Sequence, residues 1–86
     1  MTRDEFFLFV TAEIDKAYRK HGRHPWGRHE FLGVITEEFR EMEVEIFKGG
    51  SVPFDRTALQ REIIQVAAMC LRYLETGDRY LDKAKP

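Results

Sequence analysis

Leu32-Gly33-Val34-Ile35-Thr36-Glu37-Glu38-Phe39-Arg40-Glu41-Met42-Glu43-Val44-Glu45-Ile46 is the stretch on which the fold turns. Its apolar residues Leu32, Ile35, Phe39, Met42 and Ile46 follow one another at spacings of three, four, three and four. That rhythm marks a helical seam of the antiparallel-bundle kind, and it predicts a helix from about Arg28 to Lys48. Gly49-Gly50-Ser51-Val52-Pro53-Phe54 then forms a turn that cannot continue a helix. Asp55 caps a third helix whose seam is Leu59, Ile63, Val66, Cys70 and Leu74. Upstream, Thr2 with Glu5 three residues on is a capping box. It opens a first helix carrying Phe6, Phe7, Val10, Ile14, Ala17 and Tyr18, stopped by Gly22 with Pro25 just beyond. Gly77 ends the third helix, and Asp78 can cap a last short one through Lys85. No strand-turn-strand pattern competes. The expected fold is all-α: an antiparallel helical bundle of three main helices plus a short C-terminal helix, in one domain over residues 1–86.

Composition agrees with a small globular domain. The chain has 86 residues, 43% of them apolar and 34% charged, which is too mixed for disorder and too short for two cores. A chain of this size buries only about 60–65% of its unfolded surface, so an enclosed catalytic cavity within one copy is not expected. The net charge of -1 argues against nucleic acid as a partner. No apolar run approaches the roughly 20 residues that span a bilayer, so no membrane is expected either. Met1-Thr2-Arg3-Asp4-Glu5 is no signal peptide, and the one cysteine, Cys70, reads as a small core residue. A reducing cytoplasm is the expected location.

The second helix carries Glu37, Glu38, Glu41, Glu43 and Glu45 against Arg40 and Lys48. A run of this kind is ordinarily a solvated face, but its placement points elsewhere. At about 100° per residue, Glu38 lies about 80° and Glu41 about 140° to one side of the seam centre. On the third helix Glu62 and Gln65 stand at about the same two angles from a centre near Cys70. An antiparallel hairpin is related by an approximate twofold axis, which brings these flanks to the same side. Folding it about Val52 sets Glu38 opposite Gln65 and Val66, and Glu41 opposite Glu62 and Ile63. Like charges a few ångströms apart repel by about 1 kcal/mol even in water. Three carboxylates and an amide at one level therefore call for a cation, and an all-oxygen set suits Mg²⁺ or Mn²⁺ rather than zinc.

Glu37-Glu38-Phe39-Arg40-Glu41, followed by Glu62-Ile63-Ile64-Gln65-Val66-Ala67, resembles the E-E-x-x-E … E-x-x-D signature of the MazG-like all-α nucleoside triphosphate pyrophosphohydrolases. That superfamily has relatives among dimeric dUTPases and phosphoribosyl-ATP pyrophosphohydrolases. The resemblance covers about residues 29 to 76. It implies a helical dimer or tetramer, Mg²⁺ on the acidic cluster, and hydrolysis of a nucleoside triphosphate to monophosphate and pyrophosphate. Glu38, Glu41 and Glu62 carry over as metal ligands, with Glu37 or Glu41 orienting the attacking water. The family motif ends in Asp where this chain has Gln65, which carries over only as a position. An amide oxygen can ligate a hard cation but brings no charge and cannot serve as a base. Weakened hydrolysis is one expectation. The alternative is a catalytically inactive helical dimer that binds a nucleotide or a protein partner.

Between the first two helices lies Arg19-Lys20-His21-Gly22-Arg23-His24-Pro25-Trp26-Gly27-Arg28-His29. Five of the fourteen Lys and Arg residues, and all three His, fall between Lys16 and His29. The functional reading is a segment facing the triphosphate, with Arg23, Arg28 and His29 near its oxygens and Trp26 stacked on a base. Equally, Trp26 can anchor a surface loop on the bundle. Arg79, with Lys83 and Lys85, is either a further phosphate contact or a solvated helix end favoured by the dipole. No nucleophile elbow, P-loop or dinucleotide fingerprint is present. The apolar residues Phe6, Phe7, Phe9, Val10, Ile14, Phe31, Val34, Val44 and Phe47 spread beyond what one neighbouring helix can cover. A homodimer whose helices complete a four-helix core is expected.

Overall fold

The computed structural model describes residues 1–23, 25–48 and 55–78, in which the regular structure is entirely helical. Helix α1 spans Arg3–His21, α2 Arg28–Phe47 and α3 Arg56–Thr76. Both expected N-caps are present. The Thr2 hydroxyl accepts from the Glu5 N–H at 3.1 Å while the Glu5 carboxylate accepts from the Thr2 N–H at 3.2 Å. Asp55 accepts from the Ala58 N–H at 3.1 Å. Helix α2 begins at Gly27, which has no side chain to cap with, so Glu30 reaches back to the Gly27 N–H at 3.2 Å. Gly22, at φ 77°, takes the left-handed exit from α1 that a residue with a Cβ rarely adopts. The turn over residues 49–54 and the last short helix, with Arg79, lie outside the described residues.

Helix α3 is the centre of the bundle and packs against both α1 and α2. Directions follow from paired ends. Tyr18 donates to Glu75 and Gln65 to Glu13, so α1 runs parallel to α3. Phe31 stacks on Tyr73 with ring centroids 4.5 Å apart, so α2 runs antiparallel. The core gathers Val10 and Ile14 of α1, Trp26 of the connection, and Ile64, Ala68 and Met69 of α3. Ala68 is wholly inaccessible, and its small side chain lets the flanking helices close on α3. Phe6, Ala17, Tyr18, Phe31, Val34, Ile35, Ala67 and Tyr73 surround that core.

The seams are rotated from the sequence expectation. Leu32, Phe39 and Ile46 of α2, Ile63 and Leu74 of α3 and Phe7 of α1 are exposed, Leu74 to 78%. Cys70 is half-buried rather than a core residue. The cause is the central place of α3. A seam read for an isolated helix pair faces one neighbour, whereas α3 serves two, and the stripe projecting between them is Ile64, Ala68, Arg72 and Thr76. Those five seam residues of α2 and α3 are left on the outside of the single chain, while Ile35 of the same stripe packs against the core. Among the described residues, no helix is long and apolar enough to cross a membrane.

The end of α3 is tied to the loop before α2. The Asp78 N–H donates to the Trp26 carbonyl at 2.6 Å, and the Asp78 carboxylate accepts from the Tyr73 hydroxyl. This close approach requires Gly77, because a Cβ there would sit 2.6 Å from the Tyr73 carbonyl oxygen and against the Tyr73 ring. That ring is held by Phe31 on its face and Asp78 at its hydroxyl, and cannot swing aside. Gly77→Ala is therefore expected to cost about 1–3 kcal/mol, as overpacking does. The measurement is the urea midpoint, and an unchanged midpoint would contradict the tie.

Candidate metal centre and adjoining cleft

Glu38 and Glu41 leave α2 one turn apart and meet Glu62 of α3, with one oxygen of each within 4.8 Å of the others. Glu38 and Glu62 are half-buried and Glu41 is exposed. One oxygen on each of Glu38 and Glu62 is buried without a hydrogen-bond partner. Burial, then the charges of Glu41, Glu62, Glu37 and Glu13, holds the Glu38 carboxyl above its ordinary value of 4.5. Burial, then the charge of Glu41 and a hydrogen bond with it, does the same to Glu62. This cluster is strained electrostatically when empty of positive charge. Its donors are all oxygen, the ligand type that hard divalent cations take. Glu38, Glu41 and Glu62 are thus residues that can hold a hard divalent cation.

Gln65 does not turn its amide N–H₂ toward this cluster. Its Nε2 donates to Glu13 Oε2 of α1 at 2.7 Å. Glu13 therefore brings a fourth carboxylate to the edge of the site, where it adds to the field on Glu38. Glu13 was not singled out from the sequence, although it stands next to Ile14 and one turn from Val10, on the buried side of α1.

Beside the cluster, two adjoining hollows of about 350 and 270 Å³ open between the helices and share His21, Glu38, Met69 and Arg72. The first adds Trp26, Glu30 and Val34, and the second Glu13, Lys16, Lys20 and Gln65 among others. Arg72 is 4% exposed, with its guanidinium carbon 4.2 Å from the Trp26 ring centroid and 5.8 Å from that of Tyr18. It also escaped the sequence reading. Its signal is the four-residue stripe with Ile64, Ala68 and Thr76, on which an arginine stands where an apolar residue belongs.

The remaining expected site residues are scattered. Trp26 is an anchor, 6% exposed, with its carbonyl bonded to Asp78 and Arg72 lying on its ring. Arg23 is exposed and lies over Tyr18 at 4.4 Å, and Arg28 pairs with Asp78 at 3.8 Å. His29 and Glu37 line a different hollow, of about 590 Å³, with Leu32, Gly33, Thr36 and Arg40. The structure thus brings Glu38, Glu41 and Glu62 together and sets His29 and Glu37 apart from the Arg72 cleft. Arg79 lies outside the described residues. Compared with known proteins, the chain matches no family model, no curated protein and no solved structure.

Proposed function

We propose that the chain is a MazG-like nucleotide pyrophosphohydrolase, weakened at Gln65, that cleaves a nucleoside triphosphate to monophosphate and pyrophosphate. The observation that carries this reading is the convergence of Glu38, Glu41 and Glu62 with two buried carboxylate oxygens unpartnered. Mg²⁺ or Mn²⁺ bound there would neutralise phosphate charge and acidify a water. Glu38, Glu41 and Glu62 hold the cation. Glu41, the exposed member, is better placed than Glu37 to orient a water, because Glu37 faces the hollow of His29 and Arg40.

The test is a panel of deoxynucleoside and nucleoside triphosphates with Mg²⁺, scored for monophosphate plus pyrophosphate. Slow release is expected from the wild-type chain, and no product from any nucleotide at high protein concentration would sink the reading. Gln65→Asp alone would set a second carboxylate against Glu13, so the informative variant also carries Glu13→Gln. That pair is expected to raise the rate by roughly 10–100-fold, the scale on which residues around a metal tune it. The hydrogen bond from Gln65 to Glu13 favours a second reading, a non-catalytic module in which the amide is a structural strut. That reading stands alone if the double variant stays inactive and neither form responds to Mg²⁺ or nucleotide in calorimetry.

The exposed stripe of Leu32, Phe39 and Ile46, together with Phe47, Ile63 and Leu74, supports the homodimer. Pairing these faces about a twofold axis completes a four-helix core. Light scattering after gel filtration is expected to give twice the chain mass of 10.2 kDa, and a monodisperse monomer would rule the dimer out.

A further inference from the structure

We propose that Arg72 forms the floor of an oxyanion site in the cleft beside the acidic cluster, and that this site takes a phosphate or pyrophosphate group with Lys16 and Lys20 at its rim. The pocket itself rests on Arg72 and its surroundings, and only the origin of the anion, as the tail of a nucleotide, rests on the pyrophosphohydrolase reading.

An arginine so buried is ordinarily paired with a carboxylate, since desolvating an unpaired charge is costly. Among the described residues Arg72 has no ion pair, and its Nε is buried with no hydrogen-bond partner. The nearby carboxylates are engaged elsewhere. Glu75 accepts from Tyr18, Glu30 from the Gly27 N–H, Glu13 from Gln65, and Asp78 from Tyr73. Glu38 lines the same hollows but belongs to the acidic cluster. Burial presses the guanidinium toward giving up its proton, and the neighbouring Tyr18 only partly opposes this.

The two aromatic contacts support the charge without using its donors. The guanidinium carbon lies over the Trp26 ring, and the five N–H donors of a guanidinium lie along its edge. Arg72 lines both hollows, and the planar fork of a guanidinium matches two oxygens of a phosphate. Lys16 and Lys20 stand one helical turn apart on α1 and line the same hollow as Arg72. Glu38 connects the cleft to the acidic cluster, so an anion on Arg72 would lie beside whatever the carboxylates hold. The volumes, about 270 and 350 Å³, are at the small end for ligand sites and suit a phosphate chain better than a whole nucleotide.

The test uses inorganic pyrophosphate in EDTA, so that no cation contributes, with inorganic phosphate as a second arm. The chain has a single tryptophan, Trp26, which lies against Arg72, so its fluorescence reports occupation and calorimetry gives the affinity. Saturable binding of pyrophosphate is expected, tighter than phosphate. Arg72→Lys keeps the charge and loses the fork, and is expected to weaken binding at least tenfold. Lys20→Gln, on the exposed face of α1, leaves the core intact and is expected to weaken it about threefold to tenfold, a difference of one charge-assisted contact. Absence of saturation at millimolar pyrophosphate overturns the site, as does equal affinity in wild type, Arg72→Lys and Lys20→Gln. If Arg72→Lys fails to fold, the Lys20→Gln comparison decides alone. Pyrophosphate binding without any nucleotide hydrolysis would keep the site and reject the enzyme reading. Hydrolysis without Arg72-dependent pyrophosphate binding would do the reverse.

Discussion

Glu62→Gln is expected to raise the melting temperature of the metal-free chain at neutral pH and to abolish its response to Mn²⁺. The two effects share one cause. Glu38 and Glu62 both hold their protons above the ordinary carboxylate value, because burial and neighbouring charge disfavour ionisation. The folded chain therefore binds protons more tightly than the unfolded one over the range between 4.5 and the raised values. Stability from these groups is fully present below 4.5 and falls as pH climbs through that range. At pH 7 the ionised cluster works against the fold. Removing one charge relieves at most about 1 kcal/mol, because the site opens to solvent, and this corresponds to about 4–8 °C in a domain this small. With the carboxylates intact, a cation at about a hundred times its dissociation constant adds about 2.7 kcal/mol. Thermal unfolding with and without Mn²⁺ at pH 7 and pH 5 reads both effects. The wild-type gain should shrink at pH 5, where protons compete for the same oxygens. An equal Mn²⁺ shift in Glu62→Gln would remove Glu62 from the site.

Trp26→Ala is expected to cost about 3–5 kcal/mol, the range for deleting a large buried aromatic. Against a total of about 5–15 kcal/mol, that is enough to leave a chain of this size largely unfolded on mild warming. Trp26 sits on the loop joining α1 and α2, yet it belongs to the same core as Ile14 and Met69. Its ring lies 6.4 Å from Phe31 and carries the Arg72 guanidinium, so its loss empties a cavity and strips a buried charge of its stacking partner. Trp26→Phe should recover part of the loss by refilling the cavity. Urea unfolding followed by circular dichroism checks both, and a midpoint for Trp26→Ala equal to the wild type would show that the anchor is ornamental.

Helix ends were readable because they are local. Thr2, Glu5, Asp55, Gly22 and Gly77 act on groups within four residues of themselves, so their chemistry is written in sequence spacing. The acidic cluster was readable for a related reason. Glu38, Glu41 and Glu62 meet through the antiparallel pairing of two helices joined by a short connection, which spacing also sets. What spacing did not carry was the position of α1. Once α1 lies along α3, the buried stripe of α3 turns to Ile64 and Ala68, Glu13 arrives beside Gln65, and Arg72 is enclosed. Glu13, Gln65 and Arg72, which line the cleft, were thus misplaced or missed for one reason. Leu32, Phe39 and Ile46 were assigned to the interior because their rhythm is strong, but rhythm gives a face of a helix and not the neighbour it meets.

The parallel run of α1 beside α3 also sets an order of assembly. The contacts that hold them, Gln65 with Glu13 and Tyr18 with Glu75, join residues 52 and 57 apart in sequence. Hairpin contacts between α2 and α3 close a shorter loop, and so form at a smaller entropic cost. On loop closure alone the hairpin, with Glu38, Glu41 and Glu62, is expected to form first and α1 to dock afterwards. If the same hierarchy runs backwards, α1 is expected to open ahead of global unfolding, which hydrogen exchange of its amides against those of α3 would read. Its departure takes away Glu13, Lys16, Lys20 and His21 together, which is one whole wall of the cleft. In such an opening the carboxylate cluster, carried by α2 and α3, would outlast the Arg72 cleft, and the two halves of the site would have different lifetimes.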